Sequence, residues 1–227
     1  MDDYFAIGTE LAYRPFEGAR LPWDPLRNLK GFLDDFFARN QPRIPEGLHD
    51  SIIIKGNVYI EDGALIEEGT FIAGPTILCA GAEVRFGAYI RGQALIGEKA
   101  VVGHDSEVKH SILLPGAKAA HFAYVGDSVL GRDVNLGAGT KLANVRVDMG
   151  KSNLKIGLGG ELHDTGLRKL GAILGDNVSI GCNSVTNPGT VIGKGTLAYA
   201  LSSLSGIYPP DSIIKHRPNL SVIPRRR

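Results

Sequence analysis

An aliphatic residue returns at every sixth position from Ile54 through Ile60, Ile66, Ile72, Leu78, Val84, Ile90, Ile96, Val102 and Val108, and that period excludes most folds. A helix would need apolar residues three and four apart, and a half-buried strand every second one. Six-residue spacing with small, turn-forming residues between predicts short strands joined by corners. Each strand points one aliphatic side chain inward, and three repeats complete a turn. The expectation is a mainly β chain wound as a parallel β-helix. Glycine follows the aliphatic residue at Ile96-Gly97, Val102-Gly103, Val125-Gly126, Leu130-Gly131, Leu136-Gly137, Leu174-Gly175, Ile180-Gly181 and Ile192-Gly193, which is the punctuation of a solenoid and not of a linker.

The frame slips twice. Leu113, Ala119 and Val125 keep six, but Val108 to Leu113 and Val125 to Leu130 are five apart. Losing one residue re-aims side chains as a bulge does at functional sites; a neutral deletion in a tolerant corner is the alternative. Leu136 and Leu142 complete the run, and residues 145–171 then break it with a polar, glycine-rich segment, long for a loop without structure of its own. Hexads resume at Leu174, Ile180 and Ile192, weakly at Thr186, and run to about Ala200. The chain therefore divides into an N-terminal segment (1–48), a β-helix (49–203) and a C-terminal arm with a basic tail (204–227).

In the N-terminal segment Asp24-Pro25 reads as an N-cap acceptor followed by proline. Leu26, Leu29, Leu33, Phe36 and Phe37 then share one face, and Asn40 ends the helix. So short a helix is marginal alone and should dock. A solenoid end must be capped, and this helix or the C-terminal arm would serve. The tail Pro224-Arg225-Arg226-Arg227 is expected to be solvated.

A net charge of +1 gives no global field for nucleic acid or an anionic membrane. Cys79 and Cys182 show no C-x-x-C spacing and cannot make a disulfide framework, so a reducing, cytoplasmic setting is expected. The acidic start lacks a signal pattern, and no apolar run is long enough to span a bilayer. The flat wall of a β-helix offers no deep cleft, so sites are expected where two copies lie side by side.

The strip from Lys109 to Asn144 carries the candidate chemistry. Its segments V-G-H-D-S-E-V-K-H (102–110), G-A-K-A-A-H-F-A-Y-V-G-D (116–127) and D-V-N-L-G-A-G-T (133–140) resemble, in order and spacing, the acetyltransferase domain of the bifunctional UDP-N-acetylglucosamine pyrophosphorylase and glucosamine-1-phosphate N-acetyltransferase family, a group of hexapeptide-repeat transferases. The resemblance covers about Arg91 to Ala200 well, the earlier turns by period only, and residues 1–48 not at all. It implies a left-handed β-helix trimer with acetyl-CoA between neighbouring chains. On this resemblance His121 is the general base that takes a proton as an amino-sugar amine attacks the thioester, a role suited to neutral imidazole. Arg91 and Lys109 match the pair that grips a sugar 1-phosphate. Tyr124 and Asn135 match sugar-contacting positions, and Lys169 a further site lysine. Ala138, in the Gly137-Ala138-Gly139 turn that would let a pantetheine arm approach, matches a coenzyme-contacting position, as do Asn144, Cys182, Ala200 and Arg217. No metal is expected for the transfer.

Three departures narrow the reading. The family's nucleotidyltransferase domain has no counterpart in residues 1–48, so uridylyl transfer is not expected and a separate nucleotidyltransferase is a conceivable partner. Asn144-Val145-Arg146-Val147 replaces the family's Asn-Tyr-Asp-Gly and precedes a longer loop, which puts the acceptor sugar in doubt. Cys182 stands where serine is usual. Two other readings stay open. One is a zinc carbonic anhydrase using His104, His110 and His121, against which the six-residue spacing of His104 and His110 places them on neighbouring faces. The other is a non-catalytic oligomerising subunit beside a sugar nucleotidyltransferase.

Overall fold

The structure, a computed structural model, describes residues 1–148, 152–217 and 223–225. Three parallel sheets of eight strands each form the walls of a solenoid. Sheet I runs from Ile53–Lys55 to Ser203–Leu204, sheet II from Val58–Ile60 to Ile207–Tyr208, and sheet III from Leu65–Ile66 to Ile213–Ile214. Each turn visits sheets I, II and III in order and is joined by corners I/II, II/III and III/I. The hexad residues stack in register, Ile54 on Ile72, Ile72 on Ile90, Ile90 on Val108 and Val108 on Val125. They merge into one core running the length of the molecule, fully buried from Ile60 through Ile192 at almost every inward position. A two- or three-residue strand buries too little to stand alone, so each turn depends on its neighbours.

Corners explain the residues between. At the III/I corner the third residue after each inward one is left-handed: Gly87, Asp105, Phe122, Gly139, Asn183 and Leu201 all have positive φ. Gly, Asp and Asn take that geometry cheaply, and Phe122 and Leu201 do not.

The N-terminal helix α1 (Asp24–Arg39) docks as expected, but on a side wall and not as an end cap. Leu26, Leu29 and Leu33 join Ile77, Leu95, Ile112, Val129, Ile173 and Val191, the outward residues of sheet II, in a second apolar cluster with Trp23 and the 3-10 turn Leu11–Phe16. Sheet II is thus buried on both faces, which is why its strands carry aliphatic doublets and are buried along their length. Asp24 is also not the N-cap. Trp23 holds that position, and the Asp24 carboxylate turns back to accept from the amides of Arg20 (3.0 Å) and Leu21 (2.9 Å), closing the preceding bend.

Residues 145–171, read as a long loop, carry an antiparallel hairpin of Lys155–Leu158 and Glu161–Asp164. Gly159 and Gly160, both at positive φ, make the tight turn. Leu154 and Ile156 are buried in the cover over sheet II, the His163 ring lies 6.1 Å from that of Trp23, and the Leu170 amide donates to Asn144 O at 3.2 Å, closing the insertion at its base. Met149, Gly150 and Lys151 lie outside the described residues.

The solenoid also outlasts the expected boundary at 203. Ile207–Tyr208 pairs with Val191-Ile192, and Ile213–Ile214 with Leu197-Ala198, so the arm from 204 continues the coil to Ile214. Pro209 and Pro210 fall at the II/III corner, where no ladder amide is needed. Of the tail, residues 218–222, Arg226 and Arg227 lie outside the described residues. Among the described residues no helix is long and apolar enough to cross a membrane.

Candidate functional site

Register gathers the expected residues on two adjoining features. At the III/I corner the second residue after each inward one forms a column down the molecule: Phe86, His104, His121, Ala138, Cys182 and Ala200. His121, Ala138, Cys182 and Ala200 therefore follow one another along a single edge. Arg217 comes three residues past Ile214, the inward residue of the next turn, and is exposed. His121 is exposed and its imidazole has no hydrogen-bond partner among the described residues. The following Phe122 is half exposed, in left-handed backbone at φ 52° and edge-on to His104 at 5.3 Å, a strained placement for a bulky residue. The glycines of this edge have a reason of their own. A Cβ on Gly137 would lie 2.6 Å from the Cys182 amide nitrogen, and one on Gly181 would lie 2.3 Å from that of Ala200, so the turns stack only without side chains there.

Sheet I adjoins that edge and presents the polar group. Arg91 and Lys109 follow Ile90 and Val108, which pair across neighbouring strands, so the two cations are one turn apart on the same face. Tyr124 is on the next strand, opposite Glu107. Both cations already have carboxylates: Arg91 Nη1 bonds Glu107 Oε1 at 2.6 Å, and Lys109 Nζ lies 3.4 Å from Asp127 Oδ2. Asn135 leaves sheet III, between Lys118 and Ser179, and so points off a different wall from Arg91, Lys109 and Tyr124. Lys169 is exposed at the returning base of the insertion, next to Leu170.

The two short turns build something the sequence reading missed. At the I/II corner His110 and Asp127 both take left-handed backbone, φ 44° and 47°. Asp127, only 3% exposed, accepts from His110 Nδ1 (2.7 Å), from Asn144 Nδ2 and from Lys109, while Tyr124 Oη donates to Asn144 Oδ1 at 3.3 Å. Burial would push the Asp127 carboxyl up, but these donors outweigh it and hold it below the usual carboxylate range. Burial, helped by the charges of Glu107 and Asp127, pushes the Tyr124 phenol up, so it remains a donor at neutral pH. Gly126 completes the cradle: a Cβ there would lie 2.6 Å from Tyr124 Oη and 2.8 Å from Asn144 Nδ2. The signal in the sequence was the pair of five-residue steps.

Within one chain the three histidines of the zinc reading do not converge. His104 and His121 are register partners at the III/I corner, whereas His110 is at the I/II corner and bound to Asp127.

Stacked hexapeptide turns, with a polar wall beside one small-residue edge, define a hexapeptide-repeat β-helix domain. The chain belongs to the GMPPB C-terminal domain family, whose profile matches residues 72–203. It resembles the C-terminal part of the bifunctional sugar nucleotidyltransferase and acetyltransferase proteins. It is 39% identical over 173 residues to the bifunctional sugar-1-phosphate nucleotidylyltransferase/acetyltransferase of Sulfurisphaera tokodaii, covering 76% of this chain and 42% of that protein. To the bifunctional protein GlmU of Methanococcus maripaludis strain C7 it is 44% identical over 205 residues, covering 90% of this chain and 48% of that protein. The chain thus spans under half the length of these relatives. Among solved structures, the acetyltransferase domain of PglB from Neisseria gonorrhoeae in complex with acetyl coenzyme A is similar over 79% of this chain and 60% of that one, at 14% identity and a TM-score of 0.26, too distant to bear on the site.

Proposed function

We propose that the chain is an acetyl-CoA-dependent N-acetyltransferase whose acceptor is an amino-sugar 1-phosphate or a related amino sugar. The observation that carries the reading is the single edge on which His121, Ala138, Cys182 and Ala200 follow one another, with the Arg91, Lys109 and Tyr124 wall beside it. Small residues along the edge fit an extended pantetheine arm, and Arg217 at its end suits the coenzyme's phosphates. His121 takes the proton from the acceptor amine as nitrogen attacks the thioester carbonyl; the C–S bond then breaks and the proton passes to the departing thiolate. No covalent enzyme intermediate is required. Arg91 and Lys109 hold the acceptor's phosphate, exchanging their carboxylate partners for it, while Tyr124 and Asn144 orient the sugar and the thioester carbonyl.

Asn135 leaves a different wall from Arg91 and Lys109, so a second copy is the natural source of one side of the site. A homotrimer lying along sheets I and III accounts for the exposed Leu65, Phe86, Tyr89, Leu197, Tyr199 and Ile213 on those walls. A non-catalytic oligomerising subunit is the second reading, favoured by the carboxylates that already neutralise Arg91 and Lys109.

The deciding experiment is release of free CoA thiol from acetyl-CoA with glucosamine 1-phosphate, galactosamine 1-phosphate and UDP-linked amino sugars. Turnover with one of them, falling by about two to four orders of magnitude in His121→Ala, is expected. An active His121→Ala removes the mechanism, and no turnover together with no coenzyme binding leaves the subunit reading.

A further inference from the structure

The II/III corner, which the proposed reaction does not use, gathers a second set of chemical groups. Glu61, Cys79 and Glu98 come from three successive turns, just past the inward residues Ile60, Leu78 and Ile96. One ligand atom from each, the Cys79 thiol and a carboxylate oxygen of each glutamate, lies within 4.8 Å of the other two.

Among the described residues no salt bridge reaches Glu61 or Glu98. Cys79 is fully buried, and among the described residues no hydrogen bond reaches its sulfur. Oε2 of Glu98 is also buried, with no donor facing it. Glu61 is held in place by the amide of Ala80, which donates to its Oε2 at 2.8 Å. Of the charges acting on Glu98, Glu61 and Glu10 are negative, and the cation, Arg132, is committed to Glu10 at 2.6 Å. Buried polar atoms almost always find partners, and where a buried thiol and an orphaned carboxylate oxygen meet a second carboxylate, a cation supplies what is missing.

We propose that Glu61, Cys79 and Glu98 form a binding site for a divalent first-row transition metal of the zinc type. A thiolate with two carboxylates suits a borderline ion such as Zn2+, whereas Mg2+ and Ca2+ take oxygen alone. Binding forms one sulfur–metal and two oxygen–metal bonds and releases the thiol proton to solvent. Glu61 is only partly buried, so remaining coordination positions open to water. The ion clamps the first three turns together at the end of the array, where each turn has the fewest neighbours. This site is independent of the acetyl-transfer reading.

The test uses the full chain, stripped with a chelator, loaded with Co2+ and desalted. The expected result is about one retained ion per chain with a near-ultraviolet thiolate-to-cobalt absorption, kept in Cys182→Ser and lost in Cys79→Ser. Absence of that band in the unmodified chain, or its survival in Cys79→Ser, overturns the proposal. If Cys79→Ser fails to fold, Glu61→Gln at the partly exposed position decides: weakening of Co2+ affinity on the order of 10-fold or more supports the site, and unchanged affinity overturns it.

Discussion

His110 Nδ1 and Asp127 Oδ1 are 2.7 Å apart because each stands at a corner that is one residue short. With Nδ1 committed to the carboxylate, neutral His110 carries its proton there and leaves Nε2 as an acceptor. One residue more in either corner would carry the two side chains apart.

Replacing Asp127 by Asn removes the charge that His110, Lys109 and Asn144 share. A loss of about 3 kcal/mol in denaturant unfolding is expected. Its native pKa lies below the ordinary value, so its contribution is complete above the ordinary carboxylate value of about 3.9 and disappears as pH falls through the lowered native one. The acid limb of melting temperature against pH should therefore flatten in Asp127→Asn. An unaltered limb would assign the acid sensitivity to other carboxylates.

Glu107→Gln frees Arg91 without touching the arginine itself. Both side chains are partly exposed, and pairs of that kind are worth about 0.2–1 kcal/mol. The acceptor KM should fall up to about 5-fold with kcat little changed, and Arg91→Ala should raise it. If neither variant moves KM, the acceptor's phosphate is bound elsewhere.

Gly126→Ala sets a methyl group against the tips of Tyr124 and Asn144. Since those tips rather than backbone must yield, the fold should survive while turnover drops by about 100-fold, the cost of roughly ångström-scale misplacement. Steady-state kinetics beside a melting curve separates the two. Unimpaired turnover would remove Tyr124 and Asn144 from the reaction.

Thr186 occupies an inward core position with its hydroxyl buried and unpartnered. Thr186→Val should stabilise the chain by about 1 kcal/mol or more by deleting that orphan. A lower melting temperature would show that the hydroxyl is hydrogen-bonded after all.

The core was legible residue by residue, since apart from two five-residue steps the inward positions from Ile54 to Leu142 follow a period that only a coil satisfies. The cover over sheet II was legible in principle. Its strands carry aliphatic doublets, Ile77-Leu78, Leu95-Ile96, Ile112-Leu113, Val129-Leu130, Ile173-Leu174 and Val191-Ile192, whose first members need shelter of their own. Read as hexads alone, they left α1 free to be placed at an end. The hairpin of 155–164 was hidden because its strands are short and interrupted by Gly157, and its His163 ring meets Trp23, far away in sequence. Sequence order could locate His121 and its edge. It could not show that Glu107 and Asp127 claim Arg91 and Lys109, because those contacts cross between turns.

A stack of identical small turns ordinarily melts from its ends, each turn peeling away at little loss to the rest. Here the opening residues bind near the far end: Asp3 O accepts from the Lys194 amide (2.9 Å), Tyr4 O from that of Asp176 (2.7 Å), and Glu10 grips Arg132. The segment then runs back along sheet II to Phe36, whose ring meets Tyr59 in the first turn at 5.1 Å. A stretch synthesised before any coil exists thus has no complete seat until nearly the last coil is wound, which gives a local-contact architecture the slow closing step of a non-local one. Once seated, it links fraying at one end to the other, and unfolding of the array as a single cooperative unit is expected.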